Sequence, residues 1–288
     1  MAYTVLHVIL LSYVAWTEAR SQPFYGCCFA SPKVDVPSYP VQNDILNLDT
    51  RALSHAIHTK QISCEEVMKA TLEHIDTINP QLNAIILLRE RQDLLAQARQ
   101  ADQTTPQGWL HGIPTAVKDI CNVQGIPTTM GGSRLSKNYI PPFSDPPIKN
   151  LLQAGAIVIG KTNTPEYGLG SHTYNDRWGT TLNPWDTTKS AGGSSGGAAV
   201  AVASKMLSFA DGTDMMGSLR NPAGWNGIYS HRPTAGIIRG VTGSKSKNPL
   251  PYPTSTAGPM ARTPLDCAQL LETMAGRKAF DATTVGET

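Results

Sequence analysis

Three observations predict an α/β protein, a layered mixed sheet flanked by helices on both faces. Short apolar runs alternate along the chain with segments of helical spacing, which is how strands and covering helices are written in sequence. Helix start and stop signals frame the longest of those segments. The 288 residues, 40% of them hydrophobic, suffice to bury a large core in one domain or two.

The elements follow in chain order. Pro23, Pro32, Pro37 and Pro40 recur without a period, so residues 1–42 read as an N-terminal extension and linker, and the domain is expected over residues 43–288. Ser63 and Glu66 form a capping box. Val67, Thr71, Ile75 and Ile78 then recur at helical spacing up to Pro80. A buried strand is expected over Leu82–Leu88, a charged helix over Arg89–Asp102 and a turn-rich connection over Thr104–Gly112. Beyond it come Ile113–Val117, Ile148–Gln153, the strand Ala156–Ile159, a helix over Gly197–Met206 and a short run at Leu207–Ala210. A last helix begins at Thr263-Pro264, carries Cys267, Leu270, Leu271 and Met274, and stops at Gly276.

Composition removes several function classes. A net charge of +2, with Lys and Arg scattered, leaves no electrostatic footprint for nucleic acid and favours a neutral small-molecule substrate. Cys27, Cys28, Cys64, Cys121 and Cys267 show no CxxC spacing, and the seven histidines form no HExxH pair, so no metal is expected and the thiols read as free. Val5–Trp16 followed by Thr17-Glu18-Ala19 is similar to a signal-peptide core without its basic leader, and is short for a membrane span. The compartment stays open between the cytoplasm and, if that segment is a signal peptide, secretion.

Gly155-Ala156-Ile157-Val158-Ile159-Gly160-Lys161-Thr162 matches the phosphate-loop pattern GxxxxGK[ST]. A phosphate cradle needs a flexible loop before a helix, whereas Ala156–Ile159 is itself a strand and Pro165 follows closely. Lys161 and Asn163 are therefore expected at a turn near a sheet edge. Two other segments carry more: Gly192-Gly193-Ser194-Ser195-Gly196-Gly197, and the loop Gly212–Arg220 with Ser218. Glycine beside serine lets backbone N–H groups approach a ligand closely, as stabilising an oxyanion requires. A serine hydroxyl needs a base, and Lys118 stands at the end of the apolar run Ile113–Val117. Burial there disfavours the ammonium form and leaves an amine able to accept a proton. Asp214 and Arg220 flank Ser218 and read as a charged pair that fixes loop shape.

Gly112–Leu135, Ser190–Ala203, Gly212–Pro233 and Ala257–Gly276 together resemble the amidase signature family, over roughly residues 43–288. The resemblance implies a Ser-Ser-Lys arrangement with Ser218 as nucleophile, Ser194 as bridging serine and Lys118 as base. The spacing from Ser194 to Ser218, 24 residues, is the family's usual one, so the resemblance selects Ser194 over Ser195. It also implies a cis peptide before Ser194 and an oxyanion hole from the backbone N–H groups of Met215, Met216, Gly217 and Ser218. The expected activity is cleavage of a small carboxamide through a serine acyl-enzyme, with no cofactor and with a homo-oligomer possible. The A subunit of a glutamyl-tRNA amidotransferase, releasing ammonia for partner subunits, and a non-catalytic remnant are the alternatives. Met215 and Met216 stand where relatives carry smaller residues, which implies a bulkier, more apolar pocket wall. The family's fold runs well beyond residue 288, so the chain reads as C-terminally truncated.

Overall fold

A computed structural model of the chain describes residues 38–136, 139–238 and 255–276. The signal-like run Val5–Trp16, most of the proline-containing stretch, Cys27, Cys28 and the segment after Gly276 lie outside the described residues. Ser38 and Tyr39 already pack against the folded part of the chain. Lys205 Nζ donates to Ser38 Oγ at 2.7 Å, and the Tyr39 ring meets Trp185 edge-on at 5.9 Å, so the end of the expected linker is anchored.

The protein is mixed α/β. Helix α1 (Thr50–His58) is followed by α2 (Cys64–Leu82), whose capping box forms as expected: Glu66 N donates to Ser63 Oγ, and Ser63 N to Glu66 Oε2. Pro80 sits inside the last turn of α2, which ends at Asn83 in the left-handed region, so the expected strand start at Leu82 gives way to β1 (Ile85–Leu88). Helix α3 (Arg91–Asp102), strand β2 (Pro114–Lys118), helix α4 (Pro146–Gln153) and strand β3 (Ile157–Thr162) complete the first half. Strand β3 is central, antiparallel to β1 and parallel to β2. This corrects the expectation for Lys161. It lies within the middle strand and is fully buried, because the strand continues through the Gly-Lys-Thr triplet instead of turning after Ile159.

The second half carries the small ribbon β4 (Tyr174–Asn175) with β5 (Gly179–Thr180), helix α5 (Gly196–Ala203), β6 (Phe209–Asp214), α6 (Arg220–Asn226), β7 (Tyr229–Ser230), β8 (Thr256–Ala261) and α7 (Pro264–Ala275). Strands β6, β8 and β7 form an antiparallel sheet with β8 in the middle. Pro259 sits within that central strand, where a residue lacking an N–H is unexpected. Its carbonyl accepts from His231 N, beyond the end of the two-residue β7, so its nitrogen faces the place where the ladder already stops.

The two three-stranded sheets lie side by side, and side chains bridge β2 to β6. Thr115 Oγ1 donates to Phe209 O at 3.2 Å, and Lys118 N donates to Asp211 Oδ1 at 3.1 Å. Helix α5 packs against strands of both sheets. Its sequence GGAAVAVA is apolar on every side and all eight residues are buried, as a helix without a polar face requires. Small side chains allow the close approach. A Cβ on Gly197 would come within 2.4 Å of Asn163 N, a contact real side chains do not make. The buried core runs from Leu53 through α2, the strands and α5 to Met274 without a break.

Candidate active site

Strand β2 ends at Lys118, β6 ends at Asp214, and α5 begins just after Ser194 and Ser195, so three elements deliver the site. Lys118 is fully buried, and its Nζ lies 2.8 Å from each of three hydroxyl oxygens: Ser194 Oγ, Ser195 Oγ and Thr213 Oγ1. Burial pushes the lysine down to about 8, against the pull of Cys121, Asp211 and Asp214 in the opposite direction. The amine therefore becomes neutral at a lower pH than a surface lysine does.

A neutral amine has two N–H donors and one lone pair, so of three hydroxyls around it two accept and one donates. Ser195 is committed elsewhere: its hydroxyl donates to Thr213 O and accepts from Thr213 N, both at 3.3 Å. Ser194 follows a cis peptide from Gly193, and its hydroxyl faces the short turn Glu166–Gly168. A Cβ built on Gly168 would stand 3.5 Å from Ser194 Oγ. The serine turn itself is pressed against the 171–173 segment. A Cβ on Gly193 would approach His172 N to 2.9 Å, while Thr173 Oγ1 donates to Gly192 O and accepts from Gly196 N.

Ser218 lies half-buried in the turn between β6 and α6, and its carbonyl accepts from Ser195 N at 3.3 Å, which seats the turn against the serine pair. Asp214 shapes that turn. Its carboxylate receives Gly217 N at 2.8 Å and Leu219 N at 3.1 Å, the Nε and Nη2 of Arg220 each at 3.0 Å, and Arg232 Nε at 3.2 Å. Burial alone would raise this carboxyl, but the Arg220 side chain and the Gly217 and Leu219 amides outweigh it and hold it at about 2. Gly217 N–H is thus directed at Asp214. Met215 is half exposed and Met216 is 90% exposed, so the Met216 side chain stands away from the core.

The depressed Asp214 carboxyl has a consequence for stability. Its contribution is present above the ordinary carboxyl value of 3.8 and is lost as pH falls through about 2. Urea midpoints of wild type and Asp214→Asn should differ most at pH 5 and converge near pH 2. A gap that stays constant over that range would show that the carboxylate charge carries none of the effect.

Two residues given no role from the sequence join the site. Thr213 is a third partner of Lys118, and Asp211 holds the Lys118 backbone. Both belong to β6, which reaches Asp214 because all six of its residues pair with β8, so Gly212–Asp214 is strand and not the start of a loop. The signal is period 2: Asp211 and Thr213 alternate with Ala210 and Gly212 in a fully buried strand. Two clefts of about 650 and 400 Å³ flank the Glu166–Gly168 turn, bounded by Arg134, Asn175 and Arg177 on one side and by Leu169, His172 and Tyr174 on the other. Neither has Lys118, Ser194 or Ser218 in its wall.

The chain and its mixed α/β scaffold have counterparts among known proteins. The family model described as Amidase matches residues 66–287, and the chain belongs to that family, the amidase signature proteins. Among curated relatives, the A subunit of glutamyl-tRNA(Gln) amidotransferase from Caldanaerobacter subterraneus subsp. tengcongensis is 35% identical over 247 residues, 84% of this chain and 49% of that protein. Its counterpart from Trichodesmium erythraeum is 40% identical over 233 residues, 79% of this chain and 46% of its own length. Among solved structures, a bacterial aryl acylamidase of the amidase signature family superposes with a TM-score of 0.76 at 31% identity, covering 83% of this chain and 49% of that one. The peptide amidase from Stenotrophomonas maltophilia gives 0.72 at 32% identity, covering 83% and 50%. The chain spans about half the length of the relatives it matches. Among the described residues no helix is long and apolar enough to cross a membrane.

Proposed function

We propose that this chain carries the catalytic centre of an amidase that cleaves the carbon–nitrogen bond of a small carboxamide through a serine acyl-enzyme. The observation that supports it most is the fully buried Lys118 Nζ, 2.8 Å from Ser194 Oγ, with the Ser218 turn bonded to the neighbouring Ser195. In this reading Ser218 Oγ attacks the amide carbon and passes its proton to Ser194 Oγ as Ser194 gives its own to the Lys118 lone pair. The committed hydroxyl of Ser195 supports Ser194 as the relay. Backbone N–H groups of Met215, Met216 and Ser218 receive the developing oxyanion, joined by Gly217 if its amide leaves Asp214. Collapse returns the proton through Ser194 to the departing nitrogen, releasing ammonia or an amine. Water then repeats the sequence on the ester.

The test is to incubate the chain with a panel of primary amides and anilides, measure released ammonia or amine, and weigh the intact protein during turnover. A mass increase equal to the acyl group is expected. Product release with no covalent adduct would overturn the acyl-enzyme.

The names of the curated relatives favour a second reading, a protein that releases ammonia from glutamine for transfer within a complex. Glutamine hydrolysis that rises sharply when candidate partner chains are added separates the two. Neither reading draws on a metal, since the base is an amine and the nucleophile a serine. Dialysis against a chelator should leave the rate unchanged, and a loss reversed by zinc would refute the mechanism.

A further inference from the structure

A second buried lysine stands behind the first. Lys161 is fully buried on β3, and the β2–β3 register pairs Val117 with Lys161 and Lys118 with Thr162. Aligned residues of parallel strands share a face and neighbours alternate, so Lys161 projects to the sheet face opposite Lys118. There its Nζ donates to Cys121 O. Cys121 N in turn donates to Lys118 O at 2.8 Å, which closes the turn that follows the base. On that turn the Asp119 carboxylate accepts from Thr129 N, Thr129 Oγ1 and Gly131 N. Asp211, buried on the neighbouring strand, accepts Lys118 N through one oxygen and interacts with the Cys121 thiol. Two carboxylates in a dry interior call for a cation, and an exposed counter-ion cannot reach them.

We propose that Lys161 is a positioning residue for the catalytic amine: it pins the turn behind Lys118 and offsets the Asp119 and Asp211 charges, so that the proton can leave Lys118. The inference rests on the amidase reading for its purpose and on the buried cluster for its physics. The groups facing Lys161 are Asp119 and Cys121 from the turn, Asp211 from β6 and Asp145 from the cap of α4. Those facing Lys118 are Cys121, Asp211 and Asp214. Burial lowers both lysines and raises Asp119 and Asp211, while the opposite charges across the cluster draw each part of the way back. Asp211 is the carboxylate the two lysines share, so with Lys161 neutralised it acts on Lys118 alone and holds its proton.

The amine can be read directly, without turnover, by nuclear magnetic resonance of the chain labelled at the lysine side-chain Cε and Nζ, the Lys118 signal being assigned by its loss in Lys118→Met. In Lys161→Met the Lys118 midpoint should rise by about one pH unit or more, equivalent to roughly tenfold less neutral amine below it. Lys161→Arg, which keeps the charge, should leave the midpoint in place, and Asp211→Asn should lower it. If Lys161→Met does not fold, Lys161→Gln replaces it, and Asp211→Asn remains an independent arm. An unmoved Lys118 midpoint in the neutral variants, or in Asp211→Asn, would overturn the proposal. So would a midpoint that moves equally in Lys161→Arg. A wild-type chain whose amine behaves as expected but which forms no acyl adduct overturns the amidase reading and leaves the charge relation standing.

Discussion

Ser218→Ala is expected to abolish amide hydrolysis and covalent labelling by a fluorophosphonate together. A catalytic serine that acts as one unit with its base typically carries on the order of 10⁶ in rate, so the residual activity should fall to background. The variant should stay folded. Ser218 is half-buried, and the contact that seats its turn is made by its backbone carbonyl, which alanine retains. Mass mapping of the labelled wild type should place the adduct on the peptide containing Ser218. Unchanged labelling in Ser218→Ala would remove it as nucleophile, and an adduct on Ser195 would redirect the assignment to the serine pair.

Lys118→Met should be almost as severe in activity. The wild-type rate is expected to climb with pH through about 8 as the buried ammonium gives up its proton. The limb belongs to the coupled lysine and serines and not to the amine alone. In Lys118→Met it should vanish, leaving a flat, very low profile. The substitution also removes the partner of Ser194, Ser195 and Thr213, so a loss of stability is expected and must be measured beside activity. A folded Lys118→Met protein that keeps the limb would show that another group is the base.

Much of this arrangement is legible in the sequence because the signals are local. The capping box at Ser63, the Thr263-Pro264 start and Gly276 stop of α7, and the apolar run ending at Lys118 each need only a few neighbouring residues. What stays hidden depends on distant partners. Helix α1 carries Ser54, His55 and His58 among its apolar residues, and its first amides, Thr50 N and Arg51 N, are satisfied by Asp266 more than 200 residues later. Strand β8 contains Gly258 and Pro259, both unfavourable in strands, and exists because β6 and β7 pair with its two edges. Lys161 reads in sequence as the end of a strand at a sheet edge, since alternation tells which residues are buried but not which strand lies in the middle. Thr213 stands in the same glycine-rich stretch as Ser218. Only the ladder with β8 reveals that its hydroxyl turns back towards Lys118.

The all-apolar helix α5 divides the molecule by how freely it can change. Residues 196–203 are enclosed on every side, so a heavier side chain there must displace strands of both sheets and with them the serine turn that opens the helix. Met216, two residues before the candidate nucleophile, is 90% exposed and is not enclosed in this way by the described residues. A lineage could therefore vary what approaches the site through residues 215 and 216 while leaving the reacting groups untouched. In the proposed reading, selectivity is free to drift while the reacting groups stay fixed.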